Sequence, residues 1–381
     1  MQRDNNIPKG YKLSPFGPIP NNWEIKELNE VVDFLDGKRK PIKDADRAKM
    51  RGIYPYYGAS GIIDYVNDYI FDEELILLGE DGANIINRST PLAFRVSGKI
   101  WVNNHAHVLK PKKDTSLGFL TEFLESIKYD KYNTGTAQPK LNKEVCSAIP
   151  VIQPPLKEQT AIANLLNTWD KAINTLTQLI AQKELRKKWL MQQLLTGKKR
   201  LRGFKEKWEE VELGELLNYE QPTSYLVKDT LYNDKYPTPV LTAGKTFVLG
   251  YTNEENGICT DLPVIIFDDF TTASKYVDFP FKAKSSAMKL LRPKATANVK
   301  FVFEAMQLMK YAIGGHERHW ISKFVYLTIP CPPIEEQTAI ARVLQSADAE
   351  LKLLNQKLDK LKEQKKGLMQ VLLTGKKRLN Y

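Results

Sequence analysis

The sequence predicts an α+β protein in which two strand-rich α/β domains are joined by a long antiparallel two-helix coiled coil with pseudo-twofold symmetry. Three observations predict this. The first is a tandem repeat: Pro155-Leu-Lys-Glu-Gln-Thr-Ala-Ile-Ala163 returns as Pro333-Ile-Glu-Glu-Gln-Thr-Ala-Ile-Ala341, and each copy runs on to Leu-Leu-Thr-Gly-Lys-Lys-Arg-Leu, ending at Leu201 and Leu379. Gln337 follows Gln159 by 178 positions, and Gly375 follows Gly197 by 178, so the two segments are equal in length. The second is an apolar seam with alternating steps of four and three along both copies. The third is the texture between the copies, short apolar or aromatic runs broken by Gly, Asn and Pro, which reads as strands and turns.

In chain order, residues 1–22 form a leader and residues 23–154 a first variable domain, entered at Trp23-Glu-Ile-Lys-Glu-Leu28. Its runs Tyr54–Gly58, Leu75–Leu78 and Ile100–Val102 are expected strands. Residues 155–202 are the first helical spacer. Pro154-Pro155 opens it, Glu158 sits in the first turn near the positive end of the helix dipole, and Gly197 closes it. Its seam is Ile162, Leu166, Trp169, Ile173, Leu176, Ile180, Lys183, Lys187, Leu190 and Leu194.

The second variable domain, 203–332, begins near Gly203 with the echo Trp208-Glu-Glu-Val-Glu-Leu213 and shares little identity with the first. Thr238–Gly244 and Val264–Phe267 are expected strands there. Residues 333–381 are the second spacer, with seam Ile340, Leu344, Ala347, Leu351, Leu354, Leu358, Leu361, Lys365, Leu368 and Leu372. Seams near forty residues exceed what one small domain covers, and at 1.5 Å per residue each helix spans roughly 60 Å. The short connection from Leu201 to Trp208 favours antiparallel pairing, because a parallel pair would strand it at the wrong end. The seam lysines Lys183, Lys187 and Lys365 have no explanation at this level.

At 381 residues and 42% hydrophobic, the chain has enough apolar material for packed domains rather than disorder. A net charge of +11 favours an acidic partner, nucleic acid before membrane, since no apolar run approaches a membrane span. The first residues lack the apolar stretch of a secretion signal, and Cys146, Cys259 and Cys331 read as free thiols, so a cytoplasmic location is expected.

No catalytic constellation emerges. Ala243-Gly-Lys-Thr246 lacks the glycine that a phosphate loop requires, because positions 239 and 240 are Pro and Val. No S-adenosylmethionine loop is present, and the nuclease-like triplets Glu24-Ile-Lys26 and Glu363-Gln-Lys365 are short enough to arise by chance. His105-Ala-His107 and His316-Glu-Arg-His319 each place two rings on one side of a strand or turn, yet no cysteine accompanies them and no metal site is assigned.

Basic residues crowd the helix ends, from Lys183 to Arg202 and from Lys365 to Arg378, and a solvated helix face accounts for most of them. The loops of the variable domains are more telling, because they mix residues that pair with base edges and with phosphates. In the first domain the candidate DNA contacts are Lys38, Arg39, Lys40, Asn84, Arg88, Asn103, Asn104, His105, Thr136, Gln138 and Lys140. In the second they are Thr242, Lys245, Thr271, Thr272, Lys275, Lys284, Ser285, His316, Arg318 and His319.

The paired Pro-Pro-Leu/Ile-x-Glu-Gln helices, their Leu-Leu-Thr-Gly-Lys-Lys-Arg-Leu ends and the Trp-x4-Leu domain starts resemble the DNA-specificity subunits of type I restriction-modification systems over nearly the whole chain. Thr134-Gly-Thr-Ala-Gln-Pro-Lys140 leading to Ile149-Pro150 is also typical of that family, whereas Gly314-Gly-His-Glu-Arg-His319 before Ile329-Pro330 departs from it. The resemblance implies that each variable domain is a target-recognition domain reading one half of an asymmetric, interrupted double-stranded DNA site. It further implies two methyltransferase subunits that bind S-adenosylmethionine and restriction or motor subunits that use ATP and Mg, with no cofactor and no catalysis in this chain. The rival readings are a coiled-coil interaction scaffold without DNA specificity and a stand-alone nuclease.

A spacer that sets the gap between half-sites makes a quantitative prediction. Deleting one heptad from both helices shortens them by about 10 Å, roughly three base pairs. Base-resolution mapping of the bound target should then show a shorter gap with unchanged half-sites, and altered half-sites would contradict the spacer.

Overall fold

Both repeats fold as single helices, Leu156–Leu194 and Ile334–Leu372, in a computed structural model that describes residues 7–244, 246–309 and 319–379. Their ends follow the punctuation of the sequence. The Glu158 and Glu336 amides donate to the Pro155 and Pro333 carbonyls that open each first turn. Gly197 and Gly375 adopt φ of +68° and +69°, the left-handed region that lets the Lys199 and Lys377 amides reach back to the carbonyls of Gln193 and Val371. At Gly375 a β-carbon would also collide with Pro20.

The chain forms two compact units, one of Met1–Leu176 with Lys357–Tyr381 and the other of Thr177–Gln356. The units thus do not follow linear order, since each takes part of both long helices. Within the first unit, Asp170 meets Lys365; within the second, Lys183 meets Glu350 at 2.5 Å. With Glu158 also meeting Arg378 in the first unit and Arg200 meeting Glu336 in the second, one partner's number falls as the other's rises, so in each unit the two helix segments run antiparallel. Of the seam, Leu166, Leu176, Ile180, Leu344 and Leu358 are buried, while Trp169, Ile173, Leu351, Leu354 and Leu361 are half-buried.

The variable part of each unit is built on the same plan. In the first, an antiparallel sheet orders the strands Val32–Phe34, Ala106–Pro111, Leu75–Gly79 and Ala93–Val96. A second sheet holds Gly61–Val66, Arg51–Gly58, Lys99–Val102 and Phe71–Asp72, in which Trp101 and Val102 pair in parallel with Tyr56 and Tyr57. In the other unit the antiparallel sheet orders Leu217–Glu220, Met288–Pro293, Val264–Asp268 and Ser274–Val277. Its companion sheet holds Val248–Thr252, Thr238–Leu241 and Lys282–Ala283, with the last two parallel. Continuous apolar runs such as Leu75–Gly79 and Val264–Phe267 are buried, because both faces of these central strands are covered.

A short helix of each unit, Leu117–Ser126 or Val299–Leu308, joins the core that also receives the long helices. In the first unit Phe119, Phe123, Ile162, Leu166, Leu372 and Leu373 share one buried cluster with Trp23. In the second, Phe301, Ile340, Leu344, Leu194 and Leu195 share another, with Trp208 packed against it. Gln159 and Gln337 stitch the junction: each side-chain oxygen accepts from the backbone amide of the residue whose side chain caps the short helix, Ser116 or Asn298, at 2.8 Å in both units.

The strongest polar fastening is also duplicated. Glu158 is wholly buried, accepts from the Trp23 indole N–H at 3.0 Å, and takes the Arg378 guanidinium at 2.9 and 2.6 Å. Glu336 repeats this with Trp208 at 3.0 Å and Arg200 at 2.6 and 2.5 Å, and the Arg200 guanidinium also lies over the Trp208 ring. Each arginine follows the end of one long helix and each glutamate starts the other.

The seam lysines find partners. Lys365 donates to Asp170 at 2.7 and 2.8 Å and lies 2.9 Å from Glu122 of the short helix. Lys187 meets Asp348 at 2.5 Å and Glu304 of the corresponding short helix at 3.4 Å. Lys300 adds a second cation there, 2.6 Å from Asp348 and 2.7 Å from Glu304. Charge balance therefore differs. Burial pushes the Glu122 carboxyl up despite Lys365, whereas Asp348, although burial opposes its charge, is held below the ordinary carboxylate range by hydrogen bonds from Lys187 and Lys300.

Removing one cation should hence cost more in the first unit than in the second. Lys365→Met leaves Glu122 and Asp170 with no countercharge and should lower stability by about 2 kcal/mol. Lys187→Met leaves Lys300 on both acids and should cost less than half as much. Urea denaturation of the two variants checks this, and an equal or larger loss for Lys187→Met would contradict it.

Candidate nucleic-acid interface

Four loops of the first unit converge where the strands of its sheets end. The Asp36–Arg39 segment follows the strand Val32–Phe34, the Glu80–Gly82 turn follows Leu75–Gly79, and the Asn103–His105 turn joins Lys99–Val102 to Ala106–Pro111. The fourth, Asn133–Lys140, is closed by the Asn133 side chain, whose oxygen accepts from the amides of Gly135 and Lys140 at 3.0 and 2.8 Å. A side chain at Gly135 would run into the Gln138 carbonyl, so the loop needs glycine there. Backbone bonds tie these loops together: Glu80 N–H donates to His105 O, Gly82 N–H to Pro139 O, and Leu141 N–H to Glu80 O.

Lys38, Lys40, Asn104, His105, Thr136, Gln138 and Lys140 are exposed around this convergence. Arg39, Asn84, Arg88 and Asn103 have scaffold bonds instead. The Arg39 guanidinium reaches Glu80 at 2.7 Å, the carbonyls of Ala106, Asp36 and Asn104 at 2.8, 3.1 and 3.4 Å, and is only 14% exposed. Asn84 is buried, accepting from the Thr90 amide and donating to its carbonyl. Arg88, in the left-handed region at φ 50°, pairs with Glu125 at 2.7 Å and donates to its carbonyl at 2.7 Å. The buried Asn103 side chain accepts from the His105 amide at 2.8 Å.

The two histidines of His105-Ala-His107 face different carboxylates and do not share a point at which a metal would bind both. The exposed His105 ring meets Asp81 at 2.7 Å. His107 is buried, with Nδ1 2.7 Å from Asp36 and Nε2 2.8 Å from the Leu141 carbonyl. Both ring nitrogens thus face acceptors, so both carry hydrogen and the ring is a cation. Burial opposes that charge, but the bonds to Asp36 and Cys146 outweigh it and push the His107 pKa up to about 10. Asp36 is correspondingly held below its ordinary value of 3.8, against the effect of its own burial.

In the second unit the strand exits correspond. Lys284 N–H donates to Leu241 O as Asn103 N–H does to Tyr57 O, which puts Lys284 and Ser285 at the position of the Asn103–His105 turn. His319 N–H donates to Asp269 O as Leu141 N–H does to Glu80 O, so His319 sits beside the end of Val264–Asp268 as Leu141 sits beside the end of Leu75–Gly79. The correspondence of these strand exits is hidden in the sequence by their unlike residues. His316 and Arg318 lie outside the described residues, as does Lys245. His319 itself is buried.

Thr272 and Lys275 line a cleft of about 440 Å³ with Ala243, Gly244, Ser274 and Gln307, and Thr272 takes the left-handed φ of 59°. Thr242 accepts from the Gly244 amide, Thr271 and Ser285 are exposed, and the Lys284 ammonium lies over the Tyr232 ring. Among the described residues no group of three or more His, Cys, Asp or Glu could hold a metal ion, and no helix is long and apolar enough to cross a membrane.

The family model of the type I restriction modification DNA specificity domain matches the chain twice, over residues 20–185 and 205–363. The EcoR124I/EcoR124II specificity subunit of Escherichia coli is 46% identical over 179 residues, and the match covers 44% of each protein. A putative specificity subunit of Haemophilus influenzae is 38% identical over 145 residues, covering 38% of this chain and 36% of that one. The matches thus span less than half the length of these two relatives. The MjaVIII specificity subunit of Methanocaldococcus jannaschii is 26% identical over 432 residues, with 95% of each covered. A crystal structure of a type I S subunit from M. genitalium has the same fold, with a TM-score of 0.69 at 16% identity over 94% of this chain and 98% of that one.

The His107–Asp36 pair gives stability a pH dependence. A raised histidine pKa contributes stability that is fully present below about 6.5 and is lost as pH rises through about 10. The lowered Asp36 contributes above 3.8 and loses it as pH falls. The gap in denaturation midpoint between the parent and a His107→Met variant should accordingly narrow between pH 6.5 and 10; a gap constant over that range would contradict a charged ring.

Proposed function

The chain belongs to the type I restriction modification DNA specificity family, and on that premise we propose that it is the sequence-reading subunit of such a complex. Each variable unit reads one half of a bipartite, asymmetric double-stranded DNA target, and the paired long helices set the gap. The observation that carries this reading is the convergence in the first unit of Lys38, Lys40, Asn104, His105, Thr136, Gln138 and Lys140, all exposed on loops that backbone bonds hold together. Amide and imidazole groups suit base edges, and lysines suit phosphates. The net charge of +11 supports the same partner.

The duplication supports the rest of the proposal. Two units with the same strand order and the same Glu-Trp-Arg fastening offer two like surfaces, as two copies of one methyltransferase subunit require. S-adenosylmethionine belongs to those partners, and ATP and Mg to restriction or motor subunits; this chain contributes recognition rather than catalysis.

Duplex binding in the presence of the methyltransferase partner should be target-specific and weaken steeply with salt. Exchanging residues 23–153 for the corresponding domain of a relative should change one half-site and leave the other intact. Binding without target preference would leave the scaffold reading in its place, and a change in both half-sites would overturn independent recognition.

A further inference from the structure

The convergence of loops in the first unit separates residues that hold the surface from exposed ones, among which His105 has both its backbone and its ring fixed. We propose that His105 is a specificity-determining residue, taking a hydrogen bond from the exocyclic amino group of an adenine or cytosine, and that Asp81 and the Arg39–Glu80 pair are the positioning residues behind it. This rests on the sequence-reading role proposed above.

Arg39 spends its donors on Glu80 and on three carbonyls, those of Asp36, Asn104 and Ala106, so it fastens the turn on either side of His105. Glu80 faces Arg39 through one oxygen and Lys140 through the other, at 2.7 and 3.5 Å. Because Arg39 keeps Glu80 neutralised, the half-exposed Lys140 can leave for a phosphate without stranding a carboxylate. The backbone of His105 is fixed from both sides: its amide donates to Asn103 and its carbonyl accepts from the Glu80 amide.

The ring is fixed as well. Nδ1 lies 2.7 Å from the Asp81 carboxylate, which accepts only, so Nδ1 carries the hydrogen. In the neutral ring Nε2 is then a lone-pair acceptor, and the side chain remains 49% exposed. In the major groove the base groups that donate are adenine N6 and cytosine N4, and guanine and thymine present acceptors instead. An acceptor on a rigid turn therefore selects the amino-bearing bases.

The test uses the intact complex with its methyltransferase partner and a library of duplexes randomised through the target. For the parent, one position in the half-site of the first unit should require adenine or cytosine on the contacted strand. H105A should relax that position and weaken binding roughly 10- to 100-fold, with the other half-site unchanged. D81N is more diagnostic: its side chain can accept from Nδ1–H or donate to Nδ1, so the ring hydrogen is no longer confined to Nδ1 and the preference at that position should broaden to include guanine or thymine. An H105A complex that discriminates like the parent, or a loss spread evenly over both half-sites, would overturn the inference. If the parent complex itself selects no half-site, the sequence-reading role falls, and the two failures are distinguished within one experiment.

Discussion

A buried glutamate at the start of each long helix is the interaction on which the rest of the structure depends. Taking a carboxylate out of water costs several kcal/mol unless its oxygens are fully engaged. Glu158 and Glu336 meet that condition in the same way, with a fork of two guanidinium bonds and one indole N–H. The arginine arrives from beyond the end of the other long helix, and the tryptophan from the entry to the variable domain. One carboxylate thereby joins a helix start, a helix end and a domain start, and within each unit it can be satisfied only when the helix segments run antiparallel.

The seam lysines extend the same logic along the helices. Lys187 and Lys365 interrupt an apolar seam, which costs packing, but each engages an aspartate on the partner segment and a glutamate on the short helix of the domain. A heptad seam alone leaves slippage by one repeat cheap, and a charged group that must find two acids makes it costly. The apolar core, the glutamine stitches and these triads together define how each variable domain sits on its helical segments, and the loop surface inherits that placement.

What was legible in the sequence was local or periodic. The helices, their proline starts and their glycine ends follow from spacing and backbone conformation, and the strands from their apolar runs. The matching offset of 178 from Asp170 to Asp348 and from Lys187 to Lys365 was also available, and it marks the triads. Their third members, Glu122 and Glu304, lie in stretches of little residue identity and are offset by 182 rather than 178 positions, so their place beside the lysines emerges from the packing. The parallel pairing of Tyr56 with Trp101, the inward turn of Asn84 and the four acceptors of Arg39 depend on groups far apart in the chain. Residue type marked Lys38, Arg39 and Lys40 alike; only position distinguishes the half-buried, bonded guanidinium from its exposed neighbours.

On the function proposed above, the duplicated helices are a frame and the two unlike domains on it read unlike DNA. Base-resolution mapping of methylated sites in cells that carry this chain with its methyltransferase partner tests that claim most directly. One asymmetric motif is expected, two different half-sites separated by a fixed number of unspecified base pairs. A continuous palindromic motif, or the absence of any motif dependent on this chain, would contradict it.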